Sequence, residues 1–79
     1  MATRGVLNTI PLLEVADALS RHKKKDWGDD SMEDWLSNNY ALSHGERLLS
    51  SYHTAEGVKF WIITEEDRSA TTVLLPEEY

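Results

Sequence analysis

The chain has 79 residues, a length that supports one domain and excludes a second core. It contains no cysteine, which excludes disulfide staples and thiolate metal sites, and no apolar run approaches the ~18–20 residues of a membrane span. Its formal net charge of −6 opposes nonspecific binding to phosphate backbones, where Lys and Arg supply affinity by releasing counterions.

That charge is unevenly placed. Residues 1–28 carry five Lys/Arg against three Asp/Glu, whereas residues 29–79 carry three against eleven. Nucleic acid is therefore a disfavoured partner, and a protein with a basic surface is a favoured one.

In chain order, residues 1–8 read as a flexible arm without the apolar stretch of a signal peptide, so a soluble cytoplasmic protein is expected. A helix is predicted over about 11–24. Asn8 or Thr9 can cap it, Pro11 suits its first turn, and Leu12, Val15, Ala16 and Leu19 form one apolar stripe. Arg21, Lys23, Lys24 and Lys25 complement the dipole at its end. Gly28 allows a turn, after which Asp29, Asp30 or Ser31 can cap a second helix; Asp30 with Glu33, or Ser31 with Asp34, approximates a capping box. Met32, Trp35, Leu36 and Tyr40 give this helix its apolar side, Asn38 and Asn39 weaken it, and Gly45 is suited to stop it.

From Glu46 the period changes to that of strands. Arg47–His53, Val58–Thr64 and Ser69–Leu75 read as three strands, joined by loops at 54–57 and 65–68 and stopped by Pro76. The predicted fold is α+β in a single domain, 1–79, with a helical half over 11–44 and a β-meander over 46–75. Two N-terminal helices are expected to pack on one face of the three-stranded antiparallel meander.

Four-residue loops would place Leu49, Ser51, His53, Val58, Phe60, Ile62, Thr71, Val73 and Leu75 on one face. The other would carry Leu48, Ser50, Tyr52, Lys59, Trp61, Ile63, Ala70, Thr72 and Leu74. The first face, free of Lys, is the expected core. The second then presents Trp61, Tyr52, Leu48 and Leu74 as an interaction surface, unless the arm or the Pro76–Tyr79 tail covers it.

The remaining clusters read as architecture. Arg21–Lys25 with Trp27 can be drawn as a phosphate-binding patch with a stacking aromatic, but a solvated helix end and a core Trp explain it as well. Asp26, Asp29, Asp30, Glu33 and Asp34 lack the spacing of a calcium loop and suit helix caps. Glu65–Arg68 reads as a turn. His22, His44 and His53 lie in three elements without ligand spacing and are expected at the surface. The glycines form no phosphate loop and the serines no nucleophile elbow, so no catalytic residue, cofactor or metal site is predicted.

Several segments resemble one family. Asp26-Trp27-Gly28-Asp29, Gly45–Tyr52, Trp61–Ser69 and Leu74–Tyr79 are similar to small uncharacterised bacterial proteins, often associated with plasmids or mobile elements. The likeness runs from about Ala18 to Tyr79 and is most specific in the last twenty residues; Lys23–Lys25 and Trp35 depart from it. Members are sometimes labelled plasmid-related or as type I restriction subunits. The resemblance implies a bacterial cytoplasmic protein encoded near mobile DNA, transfers no catalytic residue, and marks Trp27, Trp61 and Arg68 for testing.

The expected function is a non-enzymatic interaction module with a protein partner, a homodimer included, working through Trp61, Tyr52, Leu48, Leu74 and Arg68. The alternatives are an acidic antirestriction or DNA-mimic accessory, and a weak nucleic-acid binder through Arg21–Lys25.

Overall fold

The computed structural model describes residues 1–79 and contains three helices and a three-stranded antiparallel sheet. The helices are α1 (Arg4–Thr9), α2 (Leu12–Lys23) and α3 (Met32–His44). The strands are β1 (Leu48–His53), β2 (Lys59–Thr64) and β3 (Thr71–Leu74), in the order β1-β2-β3, and a 3-10 turn follows at Pro76–Glu78.

The segment expected to be a flexible arm is structured. Ala2 bridges Val73 in parallel, Thr3 N–H donates to the Val73 carbonyl at 3.0 Å, and Val73 N–H donates to the Met1 carbonyl at 2.7 Å. The open side of β3 is thereby occupied. The Thr3 hydroxyl then caps α1 by accepting from Val6 N–H. With α1 running through Thr9, Pro11 sits at the N-cap of α2 rather than inside its first turn.

The stripe that α2 buries is rotated from the expected one. Val15, Ala18 and His22 are buried and Leu19 is half-buried, whereas Leu12 and Ala16 face solvent. His22 sits on the inner face because a hydroxyl-lined sheet surface can satisfy its ring. Val6, Ile10, Val15 and Ala18 pack with Tyr52, Phe60, Ile62, Val73 and Leu75 as the main core.

The first hairpin decides which β1 residues join that core. Thr54, not His53, closes the loop: its N–H donates to the Val58 carbonyl at 2.9 Å and its hydroxyl accepts from Val58 N–H at 3.0 Å. Only Ala55, Glu56 and Gly57 remain in the turn, with Gly57 at a positive φ of 86°. One residue fewer than expected exchanges the faces of β1 against β2. Leu48, Ser50 and Tyr52 share the core face with Phe60, Ile62 and Thr64, while Leu49, Ser51 and His53 lie opposite with Trp61 and Ile63. The second hairpin closes at Glu65–Ala70, two residues from the expected pairing, so β2 and β3 keep their predicted relation.

The Pro76–Tyr79 tail, one of the two segments that could cover the second face, reaches Trp61 on it. The Tyr79 ring meets Trp61 edge-on at 5.8 Å between centroids, and its hydroxyl accepts from Arg47 at 2.7 Å. On that face Ile63 and Leu74 are buried and Trp61 is half-buried.

The outer side of β1 is closed by the turn between α2 and α3. Ser51 N–H donates to the Trp27 carbonyl at 3.2 Å, and Asp29 N–H donates to the Ser51 carbonyl at 2.6 Å. Gly28, at φ 74°, forms the bridge, and a side chain there would collide with the Ser51 carbonyl and the Tyr52 ring. Ser31 caps α3 by accepting from Asp34 N–H, and Gly45 ends that helix in the left-handed region. The sequence leaves Asp29, Asp30 and Ser31 open as the cap, and the structure takes Ser31; the stop at Gly45 is as the sequence predicts.

Candidate functional site

Two surface features stand out once the core is placed: a cleft at the C-terminal end of α2, and the outer face of α3. The cleft has a volume of about 420 Å³. Leu19, Trp27, Leu42 and Leu48 supply apolar lining, while Lys23, Lys25 and Arg68 supply charge.

At its base a chain of polar groups crosses the sheet. His22 Nδ1 bonds Ser50 Oγ at 2.5 Å, Nε2 bonds Thr64 Oγ1 at 2.8 Å, and Thr64 Oγ1 meets Thr71 Oγ1 at 2.9 Å. His22 is only 6% exposed, a correction to its expected surface position, and burial lowers its pKa to about 4. The neutral ring donates through one nitrogen and accepts through the other, which the two hydroxyls satisfy. Ser50 and His22 have the separation of a nucleophile and its base, but Ser50 is fully buried, so no substrate reaches its hydroxyl in this arrangement.

Trp27 walls the cleft and is wholly buried, edge-on to His22 at 5.6 Å. Its indole N–H donates to Asn39 Oδ1 at 3.0 Å. Arg68, at φ 62°, donates to the carbonyls of Glu46, Glu65 and Ala41, tying the β2–β3 turn to the end of α3. Tyr40 stacks on His44 near that end, with ring centroids 3.8 Å apart.

The expected interaction surface is divided by the fold. Leu48 and Tyr52 lie on the core face, Trp61 and Leu74 on the other, and Leu48, Tyr52 and Leu74 are all buried. The Tyr52 hydroxyl donates to the Asp26 carbonyl, and burial raises its pKa to about 12. Among these five residues, only Arg68 is exposed and only Trp61 half-exposed.

An exposed apolar stripe lies instead on α3, and Leu7, Leu12 and Leu13 are exposed on α1 and α2. Met32, Leu36 and Tyr40 follow one another at four-residue spacing and are 79%, 63% and 57% exposed. These were expected to face the core. The helix turns Asn38 and Ala41 inward instead, with Trp35 and Leu42 half-buried. A groove of about 360 Å³ runs beside this stripe, lined by Asp30, Met32, Trp35, Leu36 and Asn39. The pKa of Asp30 rises to about 6, chiefly through burial and then through the neighbouring Asp34 charge.

The other acids act locally. Asp26 holds Arg21 at 2.9 Å, Asp29 holds His53 at 2.8 Å, and Asp67 accepts from Ser69 N–H at 3.0 Å. In sequence Asp30 reads as a candidate cap and Asn38 as a weak point of the helix; the bonds that Asn38 makes to Leu49 and Asp30 are not legible there, because they join residues distant along the chain. No protein-family model matches the chain, and comparison with curated proteins and with solved structures gives no match.

Proposed function

We propose that this protein is a non-enzymatic interaction module whose docking face is the outer side of α3. Its partner is a protein segment with apolar side chains inside a basic rim. The carrying observation is the exposed Met32–Leu36–Tyr40 stripe beside a groove that contains Asp30. Asp29, Glu33 and Asp34 surround its N-terminal half, and α3 itself contains no Lys or Arg. A Lys or Arg seated near Asp30 would relieve the repulsion from Asp34, whereas a second copy of this acidic helix would add to it. A setting in the bacterial cytoplasm, near mobile DNA, belongs to the same proposal and rests on the resemblance of the terminal segments. The DNA-mimic alternative has less support, because Asp26, Asp29, Asp67 and Glu78 are engaged in internal hydrogen bonds.

The test uses a synthetic amphipathic helix of Leu and Lys, its Leu and Glu counterpart, and sedimentation of the protein alone. The Lys peptide should bind and the Glu peptide should not. Met32→Gln with Leu36→Asn should weaken binding while shifting stability by less than about 0.5 kcal/mol, as for exposed positions generally. Peptide binding that survives both substitutions would overturn the assignment of the face. A dimer that Leu36→Asn returns to monomer would replace the basic partner with a second copy of the chain.

A further inference from the structure

The cleft beside His22 differs in charge from the rest of the molecule. Fourteen of the 79 residues are acidic, yet none of the eleven that line this cleft is Asp or Glu. Lys23, Lys25 and Arg68 all border it, and none of them forms an ion pair; the two ion pairs of the chain involve Arg21 and His53. Arg68 spends three of its five N–H groups on backbone carbonyls, leaving two without an internal acceptor. Three cations around one concavity repel one another, and no carboxylate of the chain pairs with any of them.

The interior supplies the complementary half. Leu19 and Leu42, both half-buried, give an apolar lining backed by the buried Trp27 and Leu48, and Thr71, half-exposed at the end of the His22–Thr64 chain, offers a hydroxyl at the polar end. The volume, about 420 Å³, lies within the range of small-molecule pockets, about 300–1,000 Å³. We propose that this cleft binds a small organic anion, its carboxylate or phosphate held by Lys23, Lys25 and Arg68 and its apolar body set against Leu19 and Leu42. This site is separate from the face of α3 and does not depend on what docks there.

Lys23 and Lys24 provide a matched control, since they are adjacent and only Lys23 lines the cleft. The probe is 2-naphthoate, with 2-naphthylmethanol as its uncharged match, inorganic phosphate as the anion without a body, and a single-stranded oligonucleotide as the competing class. Binding to the full chain is followed by NMR at the His22 imidazole and Trp27 indole. Naphthoate should shift both signals and bind more tightly than the alcohol or phosphate. Lys23→Glu should weaken it about tenfold and Lys24→Glu less than about twofold, as expected for a direct rather than a screened charge. Equal effects of the two substitutions would overturn the proposal. So would shifts confined to α3, or an oligonucleotide that binds more tightly with a steep salt dependence.

Discussion

Asn38 replaces a strand partner for Leu49. Its side-chain Oδ1 accepts from Leu49 N–H at 3.0 Å, and its Nδ2 donates to the Leu49 carbonyl at 2.5 Å and to Asp30 at 3.0 Å. One amide thus closes the outer side of β1 where the chain around Gly28 does not reach, and it fixes the rotation of α3 about its axis. The exposed Met32–Leu36–Tyr40 stripe follows from that rotation.

Removing the amide should loosen this edge. Asn38→Ala leaves both backbone groups of Leu49 without their partner and is expected to cost about 2 kcal/mol, within the range for orphaned buried groups. Asn38→Asp keeps the acceptor but loses both donor bonds and brings a second carboxylate against Asp30, so it should cost at least as much at pH 7. Urea denaturation of the two variants measures both. Wild-type stability in Asn38→Ala would remove the amide from any structural role.

Arg68 separates backbone strain from side-chain bonding. Arg68→Gly relieves the positive φ but loses the bonds to the Ala41, Glu46 and Glu65 carbonyls; Arg68→Ala loses the bonds and keeps the strain. The Ala variant should therefore be less stable than the Gly variant by about 1 kcal/mol. Both should lie below wild type in thermal unfolding. Equal stability of the two variants would mean that the turn relaxes when the guanidinium leaves.

His22 and Asp30 should oppose each other in acid. His22 titrates at about 4 when folded, below its ordinary 6.5, so the unfolded chain binds the extra proton between those values and stability falls as pH drops through them. Asp30 titrates at about 6 rather than 3.8, so the folded chain holds the extra proton and stability falls as pH rises through that window. The two slopes largely cancel between about pH 4 and 6. Asp30→Asn preserves the acceptor for Asn38 and removes one slope. It should be more stable than wild type at pH 7, by roughly 1–2 kcal/mol after allowing for partial solvent access, and should lose stability more steeply on acidification. Parallel pH profiles for the two proteins would show that Asp30 titrates normally.

Elements governed by neighbours in sequence were legible. A start to α3 within Asp29–Ser31 and a stop at Gly45 are readable in sequence because a cap and a left-handed C-terminus involve only adjacent backbone. The three strands were legible for the same reason: alternation and β-branching are local. The hairpin at Thr54–Val58 was not, since three- and four-residue loops differ by one residue and the Thr54 hydroxyl, which bonds Val58 N–H, selects the shorter. That single residue moved Tyr52 and Leu48 into the core and divided the surface drawn from the sequence.

By itself, the sequence determined an α+β chain with helices before strands, an acidic C-terminal half, and a basic end to α2. Tertiary structure alone decided which side of each element is buried. His22 and Asn38 turn inward because hydroxyls and an open strand edge, far away in the chain, satisfy them. Met32, Leu36 and Tyr40 turn outward because a helix has one orientation, and satisfying a buried amide against β1 outweighed covering three apolar side chains.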